Sequence, residues 1–249
     1  MRVRVSLGCF LFAAGLAAVS PAVSAAPLPG FAVVELFTSE GCSSCPPAEA
    51  WLSRLKDSPG LWKDFVPVAF HVEYWDHLGW RDPWASKRFS ERQRDYAQAW
   101  NSDTIYTPEV VLNGREWRGW AGHVNVPGPN GIGGALAVNS TNASRWTIVF
   151  TPSLASGNYE LHAALLASGL NSHVKAGENR GRRLEHDFVV VSFVEKLMKR
   201  QDGELRDEFV LKPESPTEGS RLALAAWVTR AGSPIPLQAT GGWLPASGR

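Results

Sequence analysis

The sequence predicts an α/β unit followed by a β-rich, sandwich-like unit, and three observations carry that expectation. Up to Asn139, continuous apolar runs alternate with helical patterns. Within that part, Asn113-Gly114 interrupts an apolar stretch with the dipeptide that a two-residue hairpin turn favours, because both of its central positions need positive φ. Beyond Asn139 the apolar stretches are short, partly alternating and broken by turn residues, as in a sandwich of sheets.

The elements follow in order. Residues 31–37, FAVVELF, read as a buried strand, since a strand covered on both faces shows no polar alternation. PPAEAWLSRL reads as a helix whose two prolines fit the first turn, where backbone N–H groups have no helical partner anyway. FVPVAFHV is a second strand, ASKRFSERQRDYAQAW a polar helix, and EVVLNGREWRGW the hairpin. The order is β-α-β-α-β-β, parallel at its start and antiparallel at its end. HVNVPGPNGIGGALAVNSTNAS, rich in Gly, Pro and Asn, predicts a loop with one short helix or an interdomain linker. The chain is therefore divided into residues 26–139 and 140–249. In the second part RWTIVF, YELHAALLA, HDFVVVSFV, DEFVLK, LALAAWVTR and IPLQA read as strands.

The first 25 residues have Arg2 and Arg4, an apolar run from Val5 to Val19 and small residues ending at Ala25. This is the pattern of a secretory signal peptide cut after Ala25, so a secreted or periplasmic location is expected. The run is short of the ~20 residues that span a bilayer. The whole chain of 249 residues has formal net charge +1, and losing two arginines leaves it near neutrality. No strong field remains to attract nucleic acid or an anionic membrane, so neither is an expected partner. Cleavage also removes Cys9 and leaves Cys42 and Cys45, which have only each other in a compartment where disulfides persist.

Cys42-Ser43-Ser44-Cys45 sits between the first strand and the first helix. A helix N-terminus carries partial positive charge and stabilises a thiolate, so Cys42 is expected to be an open nucleophile. Cys45, less accessible, would resolve a mixed disulfide by attacking the Cys42 sulfur. His71, near the end of the second strand, and Trp75, with Trp80 and Trp84, are candidates for a substrate-binding wall; ordinary core packing is the alternative, with Asp76 and Asp82 capping turns. Arg180, Arg182 and Arg183 either hold an acidic group or form a solvated loop.

With Thr107-Pro108 directly before the third strand, the first part resembles thioredoxin. The resemblance implies a redox pair at Cys42 and Cys45, a cis-proline at Pro108 beside it, and a backbone contact from Thr107 to a bound substrate chain. Glu35 resembles the buried acidic residue beneath such cysteines, which would take a proton from Cys45; a carboxylate bonded to the loop at the strand edge is the other reading. VELFTSEGCSSCPPAEAWLSRL, HVEYWDHLGWRDPWASKRFSERQ, YTPEVVLNG and GENRGRRLEHDFVVV together resemble the secreted thioredoxin-like family known as domain of unknown function 1223. Glu178, Asn179 and His186 fall in the last block, whose loop is expected to reach the cysteines.

Three functions stay open. The first is a thiol-disulfide oxidoreductase, needing no cofactor, with Cys42, Cys45, Glu35 and Pro108 catalytic and Thr107, His71 and Trp75 contacting a protein or small-molecule thiol or disulfide. The second is a soft-metal or copper-binding protein using both thiolates and an imidazole of His71, His77 or His123. The third is a thioredoxin-like binding module in which the disulfide only fixes a loop. The first requires an accessible Cys42 sulfur and the proline strand beside it.

Overall fold

The computed structural model describes residues 30–122, 126–128, 133–140, 144–153, 156–201, 204–215 and 217–245. The expected signal peptide, His123 and residues 141–143 lie outside them. The first half runs β1 (Ala32–Thr38), α1 (Pro46–Arg54), β2 (Phe65–His71), α2 (Lys87–Ala99), β3 (Glu109–Leu112) and β4 (Arg115–Glu116). β1 and β2 pair in parallel from Ala32–Phe65 to Thr38–His71, while β3 is antiparallel to β1 and β4 to β3. Every residue of β1 and β2 is buried, which explains their unbroken apolar runs.

Local chemistry accounts for these elements. α1 starts on Pro46 and Pro47 and buries Ala48, Glu49, Trp51 and Leu52 on one stripe. The β3–β4 turn has positive φ at both Asn113 (50°) and Gly114 (76°), as the dipeptide demands. Asn113 also pins the register, its side-chain oxygen accepting from Val33 N at 2.9 Å and its own N–H donating to Val33 O at 2.9 Å.

The second half contributes β5 (Gly134–Ser140), β6 (Arg145–Pro152), β7 (Tyr159–Ser168), β8 (Leu170–His173), β9 (Arg183–His186), β10 (Val189–Leu197), β11 (Lys199–Gln201), β12 (Glu204–Val210), β13 (Arg221–Arg230) and β14 (Pro236–Trp243). β5 is a departure from the expected loop or linker. Leu136 and Val138 pack against the core, and the whole of β5 pairs with β6 from Gly134–Pro152 to Ser140–Trp146, so tertiary pairing overrides a turn-rich composition.

One eight-stranded sheet runs in the order β14-β13-β7-β10-β2-β1-β3-β4, taking four strands from each half. The junction is slight: β10 lies parallel to β2 through Val189–Ala69, with Ala69 N donating to Phe188 O at 2.9 Å. Asn139, where the sequence divides, lies inside β5. A four-stranded sheet, β11-β12-β6-β5, shares a core with the second half of the large sheet through Trp146, Ile148, Phe150, Leu205 and Phe209 against Leu161, Leu165, Val191 and Val228. The chain is thus mixed α/β with large sheets. Among the described residues no helix is long and apolar enough to cross a membrane.

Candidate functional site

β1 and β2 end side by side at Thr38 and His71, and the chain that follows each builds the site. This is the carboxyl edge of a parallel pair, where open α/β sheets gather ligands. Cys42 and Cys45 form a disulfide with their Cα atoms 5.5 Å apart. Cys45 caps α1, its carbonyl accepting from Ala48 N and Glu49 N at 2.9 and 3.1 Å, and Cys42 occupies the turn before the helix. The Thr107–Pro108 peptide is cis, and the Thr107 carbonyl oxygen lies 3.7 Å from Cys42 Sγ.

The expectation of an open Cys42 is not met. Both cysteines have 0% of their surface exposed, although Ser43 and Ser44 between them face solvent. Trp75 closes one side: its indole N–H donates to Thr107 Oγ1 at 2.8 Å, and it lies so near Gly41 that a Cβ there would meet Trp75 Cβ at 2.8 Å. The loop between β8 and β9 covers another side. Asn179 donates to the carbonyls of Glu40 and Cys42 at 2.9 and 2.8 Å, and Glu178 accepts from Ser43 N and Oγ at 2.8 and 2.7 Å. These two bonds hold the Glu178 carboxyl below the usual range. Arg182 steadies Asn179 from behind at 2.8 Å. The last block of the sequence does therefore reach the cysteines, and it closes the site.

Glu35 is not beneath the cysteines. Thr38 bonds Glu49 of α1 at 2.5 Å, and Glu35, three residues earlier on the strand, points to the opposite face. There Arg92 of α2 grips it with Nε and Nη2 at 2.7 and 2.9 Å, and the Tyr96 hydroxyl donates to the same carboxylate. Arg92 also reaches Glu195 at 3.0 Å. Glu35 is a buried ion-pair partner, so the proton-transfer role expected of it lacks a path to Cys45.

Three buried carboxylates on the cysteine side, Glu40, Glu49 and Asp82, surround His71 and His186. His71 Nδ1 contacts Asp82 Oδ2 at 2.7 Å, and Asp82 also accepts from Glu40 N and Trp84 N. His186 Nε2 contacts Glu40 Oε1 at 2.9 Å, while its Nδ1 faces Glu49 Oε2. Trp80 and Ser172 donate to Glu40. The two imidazoles cross edge-on with centroids 5.1 Å apart, and Trp84 packs on both. Burial works against charge on His186, but Glu49 and Glu40 outweigh it and raise its pKa to about 10. His71 likewise rises, burial being outweighed by Asp82. Glu49 is pulled down despite burial by His186, and Asp82 by His71.

His71 thus faces this cluster and not a substrate groove. His77 turns its Nδ1 to the Tyr74 carbonyl at 2.7 Å. Among the described residues, Glu49, His71 and His186 form the group that could hold a metal, with donor atoms within 4.8 Å of one another. Sequence reasoning passed over Glu40 and Glu49. The available signal was Glu49 itself, a carboxylate within the apolar stripe of α1 and one turn beyond Cys45.

No curated relative matches the chain by sequence. Among solved structures, the crystal structure of protein AGR_C_4864 from Agrobacterium tumefaciens is similar at 24% identity, covering 84% of this chain and 92% of that one with a TM-score of 0.60. HBP35 of Porphyromonas gingivalis is similar at 14% identity, covering 87% of this chain and 76% of that one with a TM-score of 0.59. Both likenesses concern the fold. The family model described as protein of unknown function (DUF1223) matches residues 33–229, and the chain belongs to that family.

Proposed function

We propose that this chain is an extracytoplasmic, thioredoxin-like thiol-disulfide oxidoreductase whose disulfide is kept covered at rest. The observation that carries the reading is the contact between the Cys42–Cys45 disulfide and the Thr107 carbonyl, 3.7 Å from Cys42 Sγ at the start of β3. An extended substrate pairing with Thr107 would bring its own sulfur to Cys42. The strand order β2-β1-β3-β4, with α1 and α2 between, supports the thioredoxin-like part of the reading. The signal-like first 25 residues support the compartment.

In one direction a substrate thiolate attacks Cys42 Sγ, the Cys42–Cys45 bond breaks and Cys45 leaves as thiolate. A second substrate thiol then attacks the mixed disulfide, releasing Cys42 as thiolate and the substrate as a disulfide. Two electrons pass from substrate to protein, and the reverse sequence returns them. Either direction requires the Trp75 and Glu178–Asn179 cover to move aside.

The burial of both sulfurs favours a second reading, a binding module with a structural disulfide. Equilibration of the chain from Ala26 onward against a thiol redox buffer separates the two. The exchange reading expects a reduction potential well above about −300 mV and a mixed disulfide trapped by Cys45→Ser. A lower potential with no trapped partner assigns the disulfide to structure.

A further inference from the structure

The polar cluster behind the disulfide has a feature that hydrogen bonding alone leaves unexplained. His71 Nε2 is buried and has no partner among the described residues, although its ring is only 1% exposed. A buried nitrogen without a partner costs on the order of 1–3 kcal/mol, so a chain that keeps one in a site this polar implies an occupant.

The surrounding bonds state what kind. With Nδ1 held by Asp82, the atom His71 has left to offer is Nε2. With Nε2 held by Glu40, His186 offers Nδ1, which already faces Glu49. Glu49 has its other oxygen occupied by Thr38 Oγ1 at 2.5 Å. Each inward donor therefore has its own polar group behind it: a carboxylate behind each imidazole and a hydroxyl behind the carboxylate. Metal-binding histidines are oriented in this way, the rear N–H going to a carboxylate so that the front nitrogen presents its lone pair.

We propose that Glu49, His71 and His186 bind one divalent transition-metal ion of borderline softness, the class that two imidazoles and a carboxylate select, with zinc as its representative. The donors now lie within 4.8 Å of one another. Bonds of about 2.0–2.2 Å set ligand atoms roughly 3.3–3.6 Å apart. Binding therefore replaces the Glu49–His186 hydrogen bond, releasing its proton and moving those two atoms slightly apart, while His71 Nε2 is drawn inward. Glu49 also lines a surface cleft with Pro46, Pro47, Arg54, Arg182 and Leu184, which gives the ion a route from solvent. The site uses neither sulfur. It differs in this from a soft-metal site built on the cysteines, and it stands whether or not the disulfide exchanges.

The test is equilibrium dialysis of the chain from Ala26 onward, disulfide intact, against zinc, followed by metal analysis. One zinc per chain is expected, with a melting temperature that rises with zinc and falls back on chelation. His71→Gln abolishes stoichiometric binding, and Asp82→Asn, which leaves all three ligands in place, weakens it about 10–100-fold. Cobalt in place of zinc gives ligand-field bands without thiolate charge transfer. A folded wild-type chain that takes up no zinc has only a buried ion-pair network with water at Nε2, and the proposal fails. It fails equally if both variants bind zinc as wild type does, or if the cobalt spectrum reports a thiolate ligand. Should His71→Gln not fold, the wild-type melting shift and the Asp82→Asn affinity decide.

Discussion

Glu35→Gln distinguishes a structural carboxylate from a catalytic one. The change keeps the shape and removes the charge that Arg92 contacts with two nitrogens at 2.7 and 2.9 Å. Removing one partner of a buried ion pair costs about 3–5 kcal/mol, because the other charge stays buried without compensation. Arg92 retains Glu195 at 3.0 Å, a group only partly buried, so the expected loss lies near the lower end, about 3 kcal/mol. For a chain of this size that corresponds to a fall of about 6–12 °C in melting temperature. Urea denaturation and thermal melting of the oxidised protein measure it. A Glu35→Leu/Arg92→Met double variant, which replaces the pair by apolar groups, is expected to recover much of the stability. Alkylation of the reduced cysteines is expected to proceed at the wild-type rate in Glu35→Gln. A loss under 1 kcal/mol together with a tenfold slower thiol reaction refutes the assignment and returns Glu35 to the redox machinery.

Three further outcomes are expected. Glu178→Ala removes the acceptor of two bonds from Ser43 and loosens the cover, so alkylation of Cys42 in the reduced chain accelerates several-fold; an unchanged rate shows that this loop does not gate the sulfur. Burial raises the Glu109 pKa from 4.5 to about 7 against the bond from Gln93, so its stabilising contribution is complete below pH 4.5 and lost as pH rises through 7. Glu109→Gln is therefore expected to be more stable than wild type at pH 8 by up to about 3 kcal/mol and equal to it near pH 4, and a difference in unfolding free energy that does not vary with pH contradicts this. Gly114→Ala, at φ 76° and with a new Cβ 2.6 Å from Pro234 O, is expected to cost at least ~1–2 kcal/mol in urea denaturation, and a neutral result means the turn has another conformation.

Much of the first half is legible in the sequence because its determinants are local. The buried strand, the proline-started helix and the Asn113-Gly114 turn each carry their signal within about ten residues, and they occur in the expected order. The closeness of Thr107 to Cys42 was accessible only through resemblance, since 65 residues separate them. β5 escaped because pairing with β6, not its own composition, makes it a strand. The side of the sheet taken by Glu35 follows from the period of two, once Thr38 is known to face α1.

The sequence alone determined the main elements of the first half, the hairpin and the strand-to-helix position of the cysteine pair, since backbone preference and side-chain period act between near neighbours. Tertiary structure alone decided that one sheet spans both halves and that the β8–β9 loop closes over the sulfurs. It also decided that His71 meets His186, 115 positions away, inside three carboxylates. The physical reason is that a buried charge is tolerable only where distant segments supply its partners, and no local pattern encodes which segments those are.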